Sequence, residues 1–319
     1  MKKIFVCEHT NDIKRVYGSD EKFYNREFIT ANPELFKDTE YIFSTWGMSE
    51  LTADEIKACL PNLKCVFYAA GSVQYFARPF LESGVKVFSA WAANAVPVAE
   101  YTVAQIVLAN KGFFKVTDLS RDRKAANEMS DNYIGNYTAK IGIIGAGMIG
   151  KLVIEMLKNY KLDVLVFDPF LPDEKAKELG VERVSLERIF AECNVVSNHL
   201  ANNEQTKGML DGKLFEKMLP YATFLNTGRG AQVVEADLIA TLKSRPDIVA
   251  VLDVTDPEPP LPDSEFYDLP NCILTPHIAG SKGLEVRRMA EFMLDEYERF
   301  VSGQPCKYEV TLKMLETMA

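Results

Sequence analysis

Histidine is scarce in this chain, with three in 319 residues, at positions 9, 199 and 277. Any imidazole chemistry therefore has only three candidates. Cysteine is modest: six residues, at 7, 59, 65, 193, 272 and 306, none paired as C-x-x-C. Four of them sit in or beside apolar runs, which reads as a reduced, cytoplasmic thiol set rather than a disulfide framework, and no metal site is expected. Excess positive charge is missing as well. Lys and Arg total 36 against 45 Asp and Glu, a net charge of −9, which argues against a nucleic-acid or anionic-membrane surface. An anionic substrate would need positive charge placed locally. No apolar run approaches the ~18 residues of a membrane span, and Met1-Lys2-Lys3 leads straight into a strand-like run, so neither a signal peptide nor a transmembrane segment is expected. Internal repeats and low-complexity tracts are absent from the sequence.

What is present is a well-cored α/β pattern, 47% hydrophobic and 25% charged, long enough for two domains. Short apolar runs alternate with helical patterns, which argues for parallel sheets. In the first part the runs are Ile4–Val6, Tyr41–Phe43, Cys65–Tyr68 and Val85–Phe88, with helical stretches at Ala53–Leu60 and Tyr75–Glu82. Residues 94–111 read as one long helix, with Pro97 in its first turn, where a missing N–H costs nothing. Later runs lie at Val195–Ser197, Thr223–Asn226, Val249–Asp253 and Cys272–Thr275, with helical patterns at Leu214–Met218 and Glu235–Lys243. The proline-rich 256–262 segment can only be a surface loop. A last helical pattern at Leu284–Val301 is followed by a tail too short to form its own core. The tail is expected to pack back on the first domain. The reading is two doubly wound parallel-sheet domains, a Rossmann domain at 95–288 inserted into a discontinuous flavodoxin-like substrate domain made of 1–94 and 289–319.

The most specific motif is Gly145-Ala146-Gly147-Met148-Ile149-Gly150. The run Ile141–Ile144 leads into it, a helix over Met148–Leu157 is predicted after it, and Val164–Phe167 then ends at Asp168-Pro169, with the Asp 18 residues past Gly150. That strand–turn–helix–strand–acid order is the unit that binds NAD. Glycines allow the tight turn and let backbone N–H groups reach a pyrophosphate at a helix N-terminus. Asp168 is expected to accept from the ribose hydroxyls and to repel a 2′-phosphate, favouring NAD over NADP.

Three further positions end predicted strands, at the edge where open α/β sheets bind ligands. Arg229, in Asn226-Thr227-Gly228-Arg229-Gly230, is well placed to fork onto a carboxylate, although an ordinary surface arginine would look the same. Glu258 lies in the proline-rich loop, with Asp256 as a competitor. His277 lies in Thr275-Pro276-His277-Ile278-Ala279-Gly280, and a histidine like this taken alone is more often structural than catalytic. His9 has no evident partner and reads as structural. His199, followed by Leu200, is expected to line the cofactor site or to pack. Trp46 and Tyr68 follow first-domain strands and read equally as pocket lining or as packing.

Taken in order, these elements resemble the D-isomer-specific 2-hydroxyacid dehydrogenases over nearly the whole chain. The resemblance rests on Asn94–Glu100 with its Val98-Ala99-Glu100 element, Gly145–Gly150, Asp168, Asn226–Gly230, Leu252-Asp253-Val254 with Glu258-Pro259, and Thr275–Gly280. It implies that Arg229, Glu258 and His277 form the catalytic set and that Asp253 holds the nicotinamide carboxamide. It also implies that Val98, His199, Leu200, Thr227 and Gly228 border the cofactor, and that the chain is a homodimer through its NAD domain. In such a set, His277 exchanges a proton with the substrate oxygen, Glu258 fixes its tautomer, and Arg229 binds the carboxylate and polarises the 2-oxo group. Glutamate at 258, where the similarly folded formate dehydrogenases carry glutamine, fits a reaction that takes a proton from substrate.

There are departures from the family pattern. The substrate loop reads Ala69-Ala70-Gly71-Ser72-Val73-Gln74-Tyr75, without the family's usual Asp. Ala70, Gly71 and Ser72 can still offer backbone N–H groups to a carboxylate. Between Val66 and Ala77 there is no Lys or Arg, so a small unphosphorylated 2-oxo acid is expected. The family's His-x-Pro element reads His199-Leu200-Ala201. The regulatory extension of many phosphoglycerate dehydrogenases is not expected here. The alternative from another class is a non-enzymatic NAD(H)-sensing interaction protein of the same fold.

Overall fold

The computed structural model describes residues 2–8 and 12–316; His9 lies outside them. The chain forms two compact units, Met1–Asn94 with Ser281–Ala319, and Ala95–Gly280. The second crossing between them thus falls at 281 rather than at 289. The reason is local: Val286 and Met289, at the start of the last helix, are buried in the first unit's core, and Ser281 N donates to Asn94 Oδ1 at 3.0 Å.

The strands in chain order are β1 (Lys2–Val6), β2 (Phe23–Tyr24), β3 (Thr39–Ser44), β4 (Cys65–Tyr68), β5 (Lys86–Ser89), β6 (Tyr137–Ile144), β7 (Lys161–Phe167), β8 (Glu182–Arg183), β9 (Val195–Asn198), β10 (Thr223–Asn226), β11 (Val249–Leu252), β12 (Cys272–Leu274) and β13 (Glu309–Val310). In the first unit the order is β13-β5-β4-β3-β1-β2. Strands β1 to β5 are parallel in the flavodoxin-like arrangement. The expected all-parallel sheet is modified by β13, which runs antiparallel to β5. Every residue of β4 is buried, as a parallel strand covered on both faces should be. On one face Tyr68 meets Phe76 with ring centroids 4.8 Å apart. On the other, Phe67 stacks on Phe88 at 5.0 Å and meets Tyr297 of the last helix edge-on at 5.6 Å. Each such ring contributes about 2 kcal/mol through burial alone, which is what draws the C-terminal helix back to this unit.

In the second unit all seven strands are parallel, in the order β12-β11-β10-β9-β6-β7-β8. The six from β8 to β11 reproduce the dinucleotide-binding order, which reverses direction between β6 and β9. Ligands of such sheets bind outside the carboxyl ends of the strands at that reversal.

The long helix brings a further correction. It spans Trp91–Ala109, so Pro97 sits inside it rather than in its first turn. Burial of Ala93 in the first unit's core extends the helix upstream, and that packing offsets the backbone bond Pro97 cannot make. By length and composition this helix is also the one candidate membrane span among the described residues, with a mean hydropathy of 1.2. It behaves as a core helix: Ala99, Val103, Ile106 and Ala109 are buried against β6, β9, β10 and β11 residues.

Candidate functional site

The glycine turn follows β6 at the reversal point. Gly145 has φ of 92° and a Cβ there would lie 2.8 Å from the His199 carbonyl oxygen, while a Cβ on Gly150 would lie 2.0 Å from the Gly145 carbonyl oxygen. Both positions therefore require glycine for the turn and for the close helix approach. Gly147 differs, since a Cβ there would meet nothing within 4 Å. Its opening faces no protein atom. It is also the N-cap of the Met148–Leu157 helix and supplies no side-chain cap bond, so the first-turn N–H groups of this ten-residue helix remain available to an anion. Met148 is exposed and Ile149 half-buried beside them. These features fit a dinucleotide pyrophosphate.

Asp168 ends β7 and braces the turn. Its Oδ2 accepts from Ala146 N at 2.7 Å and its Oδ1 from Phe170 N at 2.8 Å. Each carboxylate oxygen keeps a further lone pair for a ribose hydroxyl. Pro169 is exposed next to it and Val98 is buried.

His199 is 8% exposed. Its Nε2 lies 2.9 Å from Ser197 Oγ and its Nδ1 3.4 Å from Thr227 Oγ1. Hydroxyls can serve either tautomer, so the neutral ring is satisfied, and burial pushes its pKa down to about 4. It supports the turn as a neutral side chain and does not share protons with His277. Unfolded, the ring binds a proton below its ordinary value of 6.5, whereas folded it stays neutral down to about 4. This contribution is complete above pH 6.5 and is lost as pH falls towards 4. We expect His199→Gln to remove roughly 2–3 kcal/mol of the pH dependence of unfolding in that window, measured by urea denaturation. An unchanged pH slope would rule the coupling out.

Arg229 follows β10 and is held by a buried amide network that the sequence reading missed. Asn198 Nδ2 donates to Asn226 Oδ1 at 3.0 Å and to Gln232 Oε1 at 2.6 Å. Gly228 N donates to Asn226 Oδ1 at 3.1 Å, Asn226 Nδ2 to the Arg229 carbonyl at 3.2 Å, and Gln232 Nε2 to the Leu200 carbonyl at 2.9 Å. Asparagines ending otherwise apolar strands, at 198 and 226, were the available signal; nothing local marked Gln232. The network fixes the backbone and leaves the guanidinium free. Among the described residues it makes one hydrogen bond, NH1 to the Gly228 carbonyl at 2.8 Å, and no ion pair. Burial lowers the pKa of Arg229 from its ordinary value, with the nearby Glu258 charge opposing that effect. A half-buried cation with unused donors is poised to receive an anion.

Glu258 and His277 meet: Nδ1 of the imidazole lies 2.7 Å from Glu258 Oε1, with the side chains 49% and 40% exposed. The competitor Asp256 makes no such bond; instead its backbone N donates to Glu235 Oε1 at 2.8 Å. His277 stands at φ of 51°, a left-handed conformation that costs a non-glycine residue about 1 kcal/mol or more. The turn is over-determined by Asp253, which is 2% exposed. Its Oδ1 accepts from Thr275 Oγ1 at 2.6 Å and from Ile278 N at 2.8 Å, and its Oδ2 from Ala279 N at 2.9 Å. Asp253 thus shapes the loop that carries His277, whatever else it binds. Thr275, anchored also to Tyr101 OH at 3.2 Å, is a supporting residue the sequence reading did not single out.

In the first unit, the Ala70–Ser72 loop follows β4. Ser89 Oγ donates to the Ala70 and Gly71 carbonyls at 2.9 and 2.6 Å, which turns the loop's carbonyls inward. Tyr68 is a core residue, 1% exposed, with its hydroxyl 3.4 Å from Tyr75 OH. Trp46 is half-buried against the same core, with Arg15 over its ring at 5.1 Å. Gln74 Nε2 donates to the Leu315 carbonyl at 2.7 Å.

Comparison with known proteins gives this geometry its context. Residues 103–279, more than half the chain, match the family model "D-isomer specific 2-hydroxyacid dehydrogenase, NAD binding domain". The chain is 31% identical over 78% of its length, and 73% of the relative's, to "Putative 2-hydroxyacid dehydrogenase YoaD" of Bacillus subtilis. It is 29% identical to the D-3-phosphoglycerate dehydrogenase of Archaeoglobus fulgidus over 85% of this chain but 51% of that protein, and so spans about half the length of that relative. Its fold is shared with a phosphoglycerate oxidoreductase from Rhizobium etli, at a TM-score of 0.80 and 21% identity over 98% of this chain and 99% of that one. This chain, with NAD as its cofactor, belongs to the D-isomer-specific 2-hydroxyacid dehydrogenase family.

Proposed function

We propose that the chain interconverts a small, unphosphorylated 2-oxo acid and its D-2-hydroxy acid, acting mainly as a reductase. The observation that carries this reading is the 2.7 Å His277–Glu258 bond, with the half-buried Arg229 close enough for Glu258 to act on its charge. Bound NADH supplies the hydride, and the protein must supply a proton and a clamp. With Nδ1 engaged by Glu258, Nε2 of His277 is the nitrogen left to face substrate. It gives its proton to the 2-oxo oxygen as that oxygen gains charge, and takes it back in the oxidation direction. Glu258 accepts the Nδ1–H bond and fixes the tautomer of the ring. Arg229 forks onto the substrate carboxylate and polarises the carbonyl. Thr227, Gly228 and Leu200 border the cofactor. Phosphorylated substrates are disfavoured because no Lys or Arg lies between positions 66 and 77. The same reading makes the chain a homodimer through its NAD-binding unit.

The test is a panel of 2-oxo acids followed by loss of reduced-nicotinamide absorbance, with NADH and NADPH in parallel. Turnover is expected with NADH and with glyoxylate-, hydroxypyruvate- or branched-chain-type acids, and much less with NADPH, because Asp168 opposes a 2′-phosphate. Silence across the panel with NADH still binding would favour the NAD(H)-sensing alternative, for which the His277–Glu258 pair has no use.

A further inference from the structure

The turn that carries His277 hangs on one residue. The backbone N–H of His277 donates to the Asp253 carbonyl at 3.0 Å. Those of Ile278 and Ala279 donate to the two oxygens of the Asp253 carboxylate, at 2.8 and 2.9 Å. Three consecutive amides thus converge on Asp253. The Glu258 bond does not supply this hold, because both of its side chains are exposed and a pair in water does little to fix a backbone. The ring's orientation is set from behind the turn.

Behind it runs a chain of hydroxyls whose direction can be read. The Thr275 hydroxyl donates to Asp253 Oδ1 at 2.6 Å, the short distance of a bond to a charged acceptor. Its one proton is used there. The Thr275 oxygen is therefore left to accept from Tyr101 OH, 3.2 Å away. Donation passes from Tyr101 to Thr275 to Asp253, and each bond polarises the next. Asp253 and Thr275 lie just past the ends of β11 and β12, in irregular chain. Tyr101 differs. It stands in the middle of the Trp91–Ala109 helix, flanked by Ala99, Val103 and Ile106, which are buried against the sheet. It is the rigid end of the chain of bonds. The next residue, Thr102, brings its hydroxyl 3.3 Å from that of Thr227, whose loop continues to Arg229. Adjacent residues of one helix thus hold both the turn of the imidazole and the loop of the guanidinium.

We infer that Tyr101 is a positioning residue for proton transfer, acting on His277 through Thr275 and Asp253. Its phenol exchanges no proton with substrate. It fixes the turn whose left-handed residue must aim Nε2 at the substrate oxygen, and small misplacements of a reacting group are costly in rate. The inference rests on the dehydrogenase reading proposed above.

Tyr101→Phe tests it, since the ring stays and only the donor is lost. Hydrogen exchange at the Ile278 and Ala279 amides, followed by NMR on the full chain, is expected to accelerate about fivefold, with Leu225 in β10 unchanged. With NADH and either glyoxylate or hydroxypyruvate, kcat should fall about fivefold, while KM and the affinity for NADH stay within about twofold. Adding Tyr101→Phe to Thr275→Val should cost little further, because the intermediary is already gone. A parent chain inert towards 2-oxo acids would sink the dehydrogenase reading, and the exchange rates would still decide whether Tyr101 holds the turn. Unchanged exchange at Ile278 and Ala279 overturns the inference, as does equal acceleration at Leu225. So does a rise in KM in place of the fall in kcat, or full additivity with Thr275→Val.

Discussion

His277→Asn should lower kcat by roughly 10²–10⁴-fold while NADH still binds. Asparagine is the informative replacement because it tolerates left-handed backbone, so the φ of 51° at this position and the Asp253-held turn around it are preserved. What disappears is a group that can carry a proton at the substrate oxygen. Burial of Asp253 and its three accepted bonds keep the loop in place without the imidazole, which separates chemistry from folding. Turnover within a few-fold of the parent would remove His277 from the mechanism. Loss of NADH binding, followed by nicotinamide fluorescence, would show instead that the loop had collapsed.

Arg229→Lys is the second substitution with a large expected effect. It retains the positive charge but replaces a planar fork with a single ammonium point. Hydrogen bonds to charged groups are worth about 1.5–3 kcal/mol each, so losing one arm of a bidentate contact and misplacing the other should lower kcat/KM by roughly 10²–10³-fold. Stability should change little. Among the described residues the side chain makes one hydrogen bond, to the Gly228 carbonyl, and the surrounding loop is held by Asn198, Asn226 and Gln232 rather than by the guanidinium. A lysine variant with kcat/KM near that of the parent would mean that the substrate carboxylate is bound elsewhere. A variant that unfolds would mean that Arg229 is structural.

Parts of the fold were legible to the residue. The strands at Cys65–Tyr68 and Thr223–Asn226 and the helix at Met148–Leu157 coincide with their sequence readings. Each is bounded by its own chemistry: a continuous apolar run that only a doubly covered strand needs, or a glycine turn that sets where a helix begins. The start of the long helix differs from its sequence reading because Pro97 looks locally like a first-turn residue. The packing of Ala93 in the first unit's core overrode that signal. The two-residue edge strands β2 and β13 carry no periodicity of their own and exist because a neighbouring strand offers free backbone groups.

Within the site, the residue types and their order along the chain were set by the sequence: the glycines, the acid after the second strand, and an arginine, a glutamate and a histidine each following a strand of one parallel sheet. Parallel strands send their carboxyl ends to the same edge, so that order alone was enough to bring the three side chains to one side. Tertiary structure decided the rest. It chose Glu258 over Asp256 as the partner of His277, made Asp253 the brace of the histidine turn, and buried an amide network under Arg229. It also turned His199 into a neutral support. These are choices among chemically similar groups far apart in sequence, and only the distances and desolvation created by packing distinguish them.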